Sequence, residues 1–203
     1  MKELKRRSRL FAVAPALFLG RLGLSPNALT IIGSLLTASV GVLVAQGWFL
    51  AAGICLWLFS ATDTLDGALA RATDRVTVFG ALLDSVCDRY AEAAVFFGLV
   101  WYYQSAANPL GVALSYVALV GSLMVSYARA RAEGVGLQAA EVGWLQRPER
   151  IILLGIGFLL TPVYPPTLLV VLAALSVLTT ITVLQRVLHV ARAASYNQPP
   201  TTP

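Results

Sequence analysis

Long apolar runs, separated by short polar or proline-containing segments, fill the chain from about residue 25 onward. A helix needs roughly 20 residues to cross about 30 Å of hydrocarbon. The second and third runs reach this length only when their charged ends are counted as helix, and the fifth is short and ends at Pro162. The pattern predicts an all-α integral membrane protein with six transmembrane helices. The predicted spans are Ala28–Gln46, Trp48–Ala70, Val76–Trp101, Leu110–Arg131, Pro148–Thr161 and Thr167–Leu188.

The composition favours lipid over water as the surroundings of most of the chain. Hydrophobic residues make up 58% of the 203 residues and charged residues only 12%, whereas soluble domains average about 45–50% and about 25%. A chain this short cannot hide such an apolar excess in a water-surrounded core. The single histidine, His189, leaves no material for a histidine-based catalytic system, and Cys55 and Cys87 lack metal-ligand spacing.

The two ends of the chain differ from its apolar middle. Residues 1–24 mix basic and apolar side chains at roughly helical spacing, which predicts a cytoplasmic interfacial amphipathic helix held by anionic lipids. A frayed basic tail is the alternative for this segment. Residues 25–192 form the predicted six-helix membrane domain, and residues 193–203 form a polar tail that we expect to be disordered.

The positive charges predict the orientation in the membrane. All 15 Lys and Arg residues fall on one side of the six-span layout, and the opposite connections, near Gly47, at 104–109 and at 162–166, carry none. By the positive-inside rule, the basic side is cytoplasmic, and Trp48 and Trp101 belong to an aromatic belt at the other interface. We therefore expect a multi-pass cell-membrane protein with both termini on the cytoplasmic side.

Four aspartates lie at the cytoplasmic ends of the second and third spans. Asp63 and Asp66 are three residues apart. Asp84 and Asp88 are four residues apart, so that each pair shares one face of its own helix. The short connection between the two spans makes the helices antiparallel neighbours and can bring both pairs together. A set of interfacial charges paired with nearby arginines is the alternative interpretation.

Clustered carboxylates at a membrane surface are typical of a divalent-metal site. An ionisable group deep in a membrane helix costs about 2.5–3.5 kcal/mol even on mild insertion scales, and neighbouring carboxylates repel one another unless cations neutralise them. Mg²⁺ prefers oxygen ligands and partners phosphates. Two such ions about 3.5–4 Å apart can clamp a diphosphate and stabilise its leaving group. The four aspartates therefore predict an active site with two Mg²⁺ ions, for which Mn²⁺ is a substitute.

The residues around the aspartates form one long motif. It reads Asp63-Thr-Leu-Asp66-Gly67-Ala-Leu-Ala70-Arg71, then eight residues, Gly80, three residues, Asp84, three residues and Asp88. This motif resembles the signature of the CDP-alcohol phosphotransferase family, membrane enzymes that displace CMP from a CDP-linked lipid with an alcohol acceptor. The resemblance implies that the four aspartates hold the metals and that Asp88 also accepts the proton of the alcohol.

The same resemblance implies a binding site for the CDP-lipid around the motif. Gly67 has no side chain, so a nucleotide can approach the helix backbone closely, and Arg71 offers a bidentate donor to a phosphate. The start of the first span resembles the family's entrance to this site, and a helix cap with Pro26 is an equally good explanation. The implied CDP-lipid residues are Asn27, Ala28, Leu29, Thr30, Gly67, Ala70, Arg71 and Thr77.

Arginines gather at the cytoplasmic ends of the last three spans. Guanidinium groups bind phosphate bidentately, and ordinary positive-inside charge is the alternative interpretation. Residues 126–133 and 147–150 resemble the inositol-phosphate-using branch of the family, although Arg129 stands where relatives often have lysine. This resemblance implies CDP-diacylglycerol as the donor, inositol 1-phosphate as the acceptor and a phosphatidylinositol phosphate as the product. The implied acceptor-phosphate residues, called the arginine group below, are Arg129, Arg131, Arg147, Arg150 and Arg186.

Two other functions are compatible with the sequence. Glycerol 3-phosphate also carries a phosphate, so a phosphatidylglycerol-phosphate synthase is the alternative within the enzyme class. A cation transporter is the alternative from another class, although the chain shows no clear internal repeat or broken midplane helix. The family resemblance further implies a homodimer with one active site per subunit, and we expect no nucleic-acid partner.

Overall fold

The computed structural model describes residues 13–137 and 142–196, apart from the side chains of Asp63 and of residues 194–196. The regular elements within these residues are helices, and no strand occurs among them. The first helix, α1, covers residues 13–21 of the segment for which an amphipathic helix is predicted, and residues 1–12 lie outside the description. The other helices are α2 (Pro26–Ala45), α3 (Phe49–Ala72), α4 (Val78–Ser105), α5 (Pro109–Gly134), α6 (Arg147–Leu160) and α7 (Thr167–Tyr196).

Polar side chains in the connections begin three of these helices. Ser25, Thr77 and Asn108 each accept a hydrogen bond from the backbone N–H three residues further on, at 3.2, 2.9 and 2.9 Å. Such caps satisfy N–H groups that the start of a helix leaves without a backbone partner. Pro26 stands in the first turn of α2, where its missing N–H is harmless. The polar breaks in the sequence therefore fix where these helices begin.

The packing brings α2 against α4, so that helices that do not follow one another in the chain lie side by side. α2 packs against α3 and α4, α4 against α5, and α5 against α7, while α6 packs against α3 and α7. Gly41 and Gly98 let α2 and α4 approach closely, because a Cβ on either glycine would overlap a carbonyl group of the facing helix. Close approach through small residues is typical of helices in lipid. Near the end of α3, Ala16 of α1 is fully buried against Ala68 and Leu69.

Within the described part of the chain, four helices are long and apolar enough to cross a membrane, namely α2, α3, α5 and the Thr167–Ala193 part of α7. α4 carries four charged residues between Asp84 and Glu92, and α6 has only 14 residues. Large apolar side chains such as Leu58 and Phe97 are each 62% exposed on the outside of the bundle. The prediction of an all-α membrane fold is confirmed, and four of the six predicted spans meet the criterion of length and apolarity.

The helices follow the predicted spans closely, and the largest differences are extensions of α4 and α7. α4 continues to Ser105, beyond the predicted end at Trp101, and α7 continues to Tyr196. Residues 193–196, which the sequence analysis places in a disordered tail, are therefore helical, and the rest of that tail lies outside the described residues. α7 is longer because alanine and arginine, which favour helices, continue past its apolar part.

Candidate active site

Three helix ends enclose a pocket of about 240 Å³, called the helix-end pocket below. The start of α2, the end of α3 and the start of α4 meet there. Most residues predicted to bind the CDP-lipid line this pocket, but Ala28 and Leu29 do not. The lining residues are Pro26, Asn27, Thr30, Asp66, Gly67, Ala70, Arg71, Arg75, Val76, Thr77, Gly80, Ala81 and Asp84.

Asp66 is a buried carboxylate in the wall of the helix-end pocket, with 7% of its surface exposed. Thr30 Oγ1 donates a hydrogen bond to Asp66 Oδ2 at 2.5 Å, and the Gly67 N–H donates to Oδ1 at 2.5 Å. Because both carboxylate oxygens accept a hydrogen bond, part of the cost of burying the charge is offset. The contact with Thr30 also ties α2 to α3 across the pocket.

The aspartates of α4 stand at two levels of the site. Asp84 lines the same pocket as Asp66. Asp88, one turn further along α4, is 7% exposed and forms an ion pair with Arg147 of α6, with 2.7 Å between Oδ2 and Nη1. Asp63 precedes Asp66 by three residues on α3, and its side chain lies outside the described part of the chain. The structure thus brings Asp66 and Asp84 to one pocket and links Asp88 to the arginine group.

The carboxylates suit a divalent cation by their donor chemistry. Among the described residues, no group of three or more carboxylate, histidine or cysteine side chains is close enough together to hold a metal ion, and the Asp63 side chain is not part of that set. Carboxylate oxygens are the ligands that hard divalent cations prefer, and Asp66 and Asp84 face one pocket. The donors therefore fit such an ion, and the four-aspartate site stays a prediction.

Two glycines keep the helix-end pocket open. A Cβ on Gly67 would lie 3.2 Å from Nη1 of Arg71, and a Cβ on Gly80 would lie 3.2 Å from Oδ1 of Asn27. Because neither position carries a side chain, the Arg71 guanidinium can lie against its own helix and the pocket keeps room for a ligand. Arg75 also lines the pocket, although it is not among the residues predicted to bind the CDP-lipid.

Three members of the arginine group keep access to solvent. Arg129 and Arg131 are exposed at the end of α5, where Arg129 forms a surface ion pair with Glu133 at 2.9 Å. Arg147 begins α6 next to Asp88, and 24% of its side chain is exposed. Exposed ion pairs contribute at most about 1 kcal/mol, so Arg129 can exchange its partner for a ligand at small cost.

Arg150 and Arg186 are buried, each with 2% of its surface exposed. Arg150 donates from Nε and Nη2 to the two carboxylate oxygens of Glu92, at 2.8 and 3.0 Å. Arg186 donates from Nε to the carbonyl of Val142 at 2.8 Å and from Nη1 to the carbonyl of Val125. A guanidinium carries five N–H donors, so these contacts use only part of each set. Phosphate binding by these two arginines stays a prediction, and the protein holds both in place.

The connection between α5 and α6 is fastened to α7. The Leu145 N–H donates to Thr182 Oγ1 at 3.1 Å, and the Trp144 N–H donates to Gln185 Oε1 at 3.3 Å. Thr182, Gln185 and Arg186 are spaced by three and four residues and therefore share one face of α7. This face bonds backbone groups of residues 142–145, directly before α6, and thereby helps to determine where α6 begins.

Sequence reasoning misses three polar residues that build this site, namely Glu92, Thr182 and Gln185. Glu92 stands four residues after Asp88, so the helical spacing that groups the aspartates was a usable signal for it. Thr182 carried no such signal. A hydroxyl in an apolar helix usually bonds a carbonyl of the preceding turn, as Thr182 also does with Leu178 at 2.8 Å.

These features define a helical membrane protein with a carboxylate-bearing pocket beside a group of arginines. The chain belongs to the CDP-alcohol phosphatidyltransferase family, whose model matches residues 23–191. The family and the enzyme class predicted from the aspartate motif are thereby confirmed.

The chain is similar to a phosphatidylinositol phosphate synthase in both sequence and structure. The enzyme of that name from Mycobacterium tuberculosis (strain ATCC 25618 / H37Rv) is 42% identical over 176 residues, which cover 82% of this chain and 79% of that protein. A crystal structure of the M. tuberculosis enzyme with CDP-DAG bound matches with a TM-score of 0.82 at 36% identity and covers 88% of this chain and 92% of the other. A second crystal structure, in complex with manganese and citrate, matches with a TM-score of 0.83 at 36% identity and covers 93% and 90%.

Proposed function

We propose that the chain transfers the phosphatidyl group of CDP-diacylglycerol to inositol 1-phosphate, which yields a phosphatidylinositol phosphate and CMP. The observation that carries this proposal is the ion pair between Asp88 and Arg147, because it joins the aspartate motif to the arginine group. A lipid donor in the helix-end pocket and a phosphorylated acceptor among the arginines meet at this pair. The relative named phosphatidylinositol phosphate synthase and its crystal structure with CDP-DAG bound support the assignment.

The donor is proposed to bind in the helix-end pocket. Gly67 leaves room for a nucleotide beside α3, and the exposed Arg71 guanidinium offers two parallel N–H groups to a phosphate. Ala28 and Leu29 do not line the pocket, and their part in binding rests on the family resemblance alone. The proposed donor-binding residues are Asn27, Ala28, Leu29, Thr30, Gly67, Ala70, Arg71 and Thr77.

Two divalent cations are proposed to complete the site. Mg²⁺ is the expected ion and Mn²⁺ a substitute, and the relative crystallised in complex with manganese supports a divalent metal. When bound, the ions supply stabilisation of the negative charge that develops on the departing CMP. The hydrogen bonds from Thr30 and Gly67 orient the Asp66 carboxylate for this role. The proposed metal ligands are Asp63, Asp66, Asp84 and Asp88.

The reaction is proposed to be a single displacement at phosphorus. An oxygen of the acceptor hydroxyl bonds to the phosphorus of the phosphatidyl group as the bond from that phosphorus to the CMP oxygen breaks. Asp88 takes the proton of the hydroxyl, since its carboxylate lies between the helix-end pocket and the arginine group. The phosphate that the acceptor already carries is held by its charge. The proposed acceptor-phosphate residues are Arg129, Arg131, Arg147, Arg150 and Arg186.

The membrane arrangement is proposed to have six spans, in which α4 and α6 cross together with the four longer apolar helices. The charges of α4 lie near the site, and its remaining part, residues 93–105, carries none. The distribution of the Lys and Arg residues predicts that the active site and both termini lie on the cytoplasmic face of the cell membrane. The membrane domain over 25–192 and the interfacial segment before it are proposed from the pattern of apolar and basic residues, and a homodimer is proposed from the family resemblance.

Release of CMP from CDP-diacylglycerol by the purified chain in vesicles with Mg²⁺ tests the proposal. We expect more turnover with inositol 1-phosphate than with free inositol or glycerol 3-phosphate, and a loss of about 10²–10⁴-fold in Asp88→Asn. Asp74→Asn is the matched control, because Asp74 is exposed, does not line the pocket and has a φ of 56°, which asparagine tolerates.

Another outcome separates the two acceptors. Turnover with glycerol 3-phosphate alone would keep the chemistry and replace the acceptor.

A further inference from the structure

Glu92 is a buried carboxylate that the proposed reaction does not use. It follows Asp88 by four residues on α4, so the two side chains lie on the same face of the helix. Only 9% of the Glu92 side chain is exposed, and a buried carboxylate is costly unless it is paired. Both of its oxygens accept N–H donors of Arg150, and two parallel bonds of this kind fix the plane of the guanidinium.

The partners of the two α4 carboxylates lie on α6 in matching order. Arg147 contacts Asp88 at 2.7 Å, and Arg150, three residues later, holds Glu92. α6 packs its backbone on α3 and α7, so these ion pairs reach across to α4 through long side chains. Arg89 lies within electrostatic range of all four groups. Which arginine pairs with which carboxylate is therefore a matter of competition within one cluster.

We propose that Glu92 is a positioning residue for the acceptor phosphate and that it acts through Arg150. The bidentate pair neutralises the charge of Arg150 and keeps its guanidinium away from Asp88. Asp88 therefore pairs with Arg147 alone among these two arginines. Arg150 Nη1 also donates to the carbonyl of Leu145 at 3.5 Å, and the N–H groups that neither partner uses are held in one orientation for a phosphate. This inference rests on the proposed function and extends it to a residue outside the aspartate motif.

Glu92→Gln keeps the size of the side chain and removes its charge and one acceptor oxygen. The plane of the Arg150 guanidinium is then no longer fixed, and binding of the acceptor has to order this side chain. We expect KM for inositol 1-phosphate to rise about fivefold or more. KM for CDP-diacylglycerol is expected to stay unchanged, because neither Glu92 nor Arg150 lines the helix-end pocket. Glu149→Gln is the matched control, since Glu149 is exposed beside Arg150 on α6, and it is expected to change neither KM.

A double variant shows whether Glu92 acts through Arg150. If it does, Glu92→Gln adds nothing to Arg150→Gln, and KM for the acceptor is the same in the double variant as in Arg150→Gln alone. The double variant also removes the unpaired buried charge that can keep Glu92→Gln from folding. Glu92→Asp, which keeps the charge with a shorter reach, is expected to show an intermediate KM. The proposal would be overturned if the fold-increases in KM of the two single variants multiply in the double variant.

A binding measurement separates this inference from the proposed reaction. Thermal unfolding of the purified full chain in detergent is followed with and without inositol 1-phosphate, and with inorganic phosphate as a second probe. Both probes are expected to stabilise the unsubstituted chain and Glu149→Gln, and to stabilise Glu92→Gln much less. Stabilisation of the unsubstituted chain without CMP release would refute the proposed reaction only. Equal stabilisation of Glu92→Gln and the unsubstituted chain, no stabilisation of either, or an equal rise of both KM values would overturn the role of Glu92.

Discussion

Burial separates the charged residues of the site that the protein holds in place from those that can move toward a ligand. Asp66 is buried and receives two hydrogen bonds, and Arg150 and Glu92 are buried and satisfy each other. A buried charge without such a partner would cost several kcal/mol. Arg71 and Arg129 are exposed, so contact with a substrate does not break a buried pair. The site therefore combines charges that the protein holds in place, among them Asp66 and Arg150, with exposed arginines that can move toward a ligand.

The hydroxyl of Thr30 can be removed with little change in the shape of its side chain. Thr30→Val takes away the donor at 2.5 Å from Asp66 Oδ2, and a hydrogen bond to a charged group is worth about 1.5–3 kcal/mol. We expect kcat/KM for CDP-diacylglycerol, measured as CMP release, to fall about tenfold or more.

Thr37→Val is the matched control for this substitution. Thr37 is also buried on α2, and within the described part of the chain its hydroxyl has no hydrogen-bond partner. Its replacement is expected to leave CMP release unchanged. If Thr30→Val behaves like Thr37→Val, the hydrogen bond does not contribute to the orientation of Asp66.

At the scale of residues, the sequence reveals groups whose chemistry and spacing are local. The spacing of the motif places Asp66 and Asp84 at the ends of neighbouring helices, and the structure brings them to one pocket. Pairs that are distant in sequence were not predictable. Thr30 and Asp66 are 36 residues apart, and Glu92 and Arg150 are 58 apart. Such contacts depend on which helices pack together, and a single sequence does not specify this.

At the scale of elements, α7 provides the surface that positions α6. A connection that runs close to the membrane needs partners for its backbone N–H and carbonyl groups. Thr182, Gln185 and Arg186 supply them to residues 142–145. Because α6 begins directly after this connection, the same contacts determine where Arg147 lies.

Gly143 lets the connection approach α7. Its φ of 106° disfavours a side chain, and a Cβ there would overlap Cγ2 of Thr182. Gly136 also has a positive φ, 83°, but nothing lies within 4 Å of its Cβ position. Strain of this kind costs about 1–3 kcal/mol and is common to both sites. We therefore expect Gly143→Ala to lower the midpoint of thermal unfolding further than Gly136→Ala does.

Thr182→Ser tests the cause of that difference. Serine keeps the oxygen that accepts from the Leu145 N–H at 3.1 Å and lacks the methyl group that a Cβ on Gly143 would meet. In the Thr182→Ser background, Gly143→Ala is expected to lower the midpoint of thermal unfolding no further than Gly136→Ala does. A difference that persists there would place the cause outside the contact with Thr182.

The positions of the helices along the chain were easier to predict than which helices pack against one another. Apolar runs and residues such as Pro26 and Pro162 marked helix bounds to within a few residues, because span length and the effects of proline on a helix are local properties. The pairing of α2 with α4 and of α5 with α7 was not predictable from periodicity. Small residues such as Gly41 permit close contact, but they do not say with which helix.

At the scale of the whole molecule, the two ends of the bundle differ in character. The aspartates and the arginine group lie at one end. At the other end, Phe49 contacts Tyr102 edge to face at 4.8 Å and stacks on Phe158 at 6.1 Å between ring centres. This polarity, together with the position of the Lys and Arg residues, leads us to expect that the two ends face opposite sides of the membrane.

Cysteine labelling measures this orientation in cells. Ala106→Cys, in the connection after α4, is expected to react with a membrane-impermeant maleimide on intact cells, and Ala72→Cys, at the end of α3, only after the membrane is opened. Both variants carry Cys55→Ala and Cys87→Ala, so that only the introduced thiol is labelled. Reaction of Ala72→Cys on intact cells would contradict a cytoplasmic active site.

α6 is a short helix, and it begins beside the middle of α7 rather than beside its end. Its 14 residues rise about 21 Å, less than the roughly 30 Å of hydrocarbon in a bilayer. The connection before α6 contacts α7 at Thr182, and α7 continues from there to Tyr196, which is about four more turns. Arg147, two residues after the contact of Leu145 with Thr182, therefore lies below the level at which α7 ends. Under the proposed function, the water-soluble acceptor reaches down beside α7 to the depth of the lipid phosphate, and the lipid does not have to leave the bilayer to react.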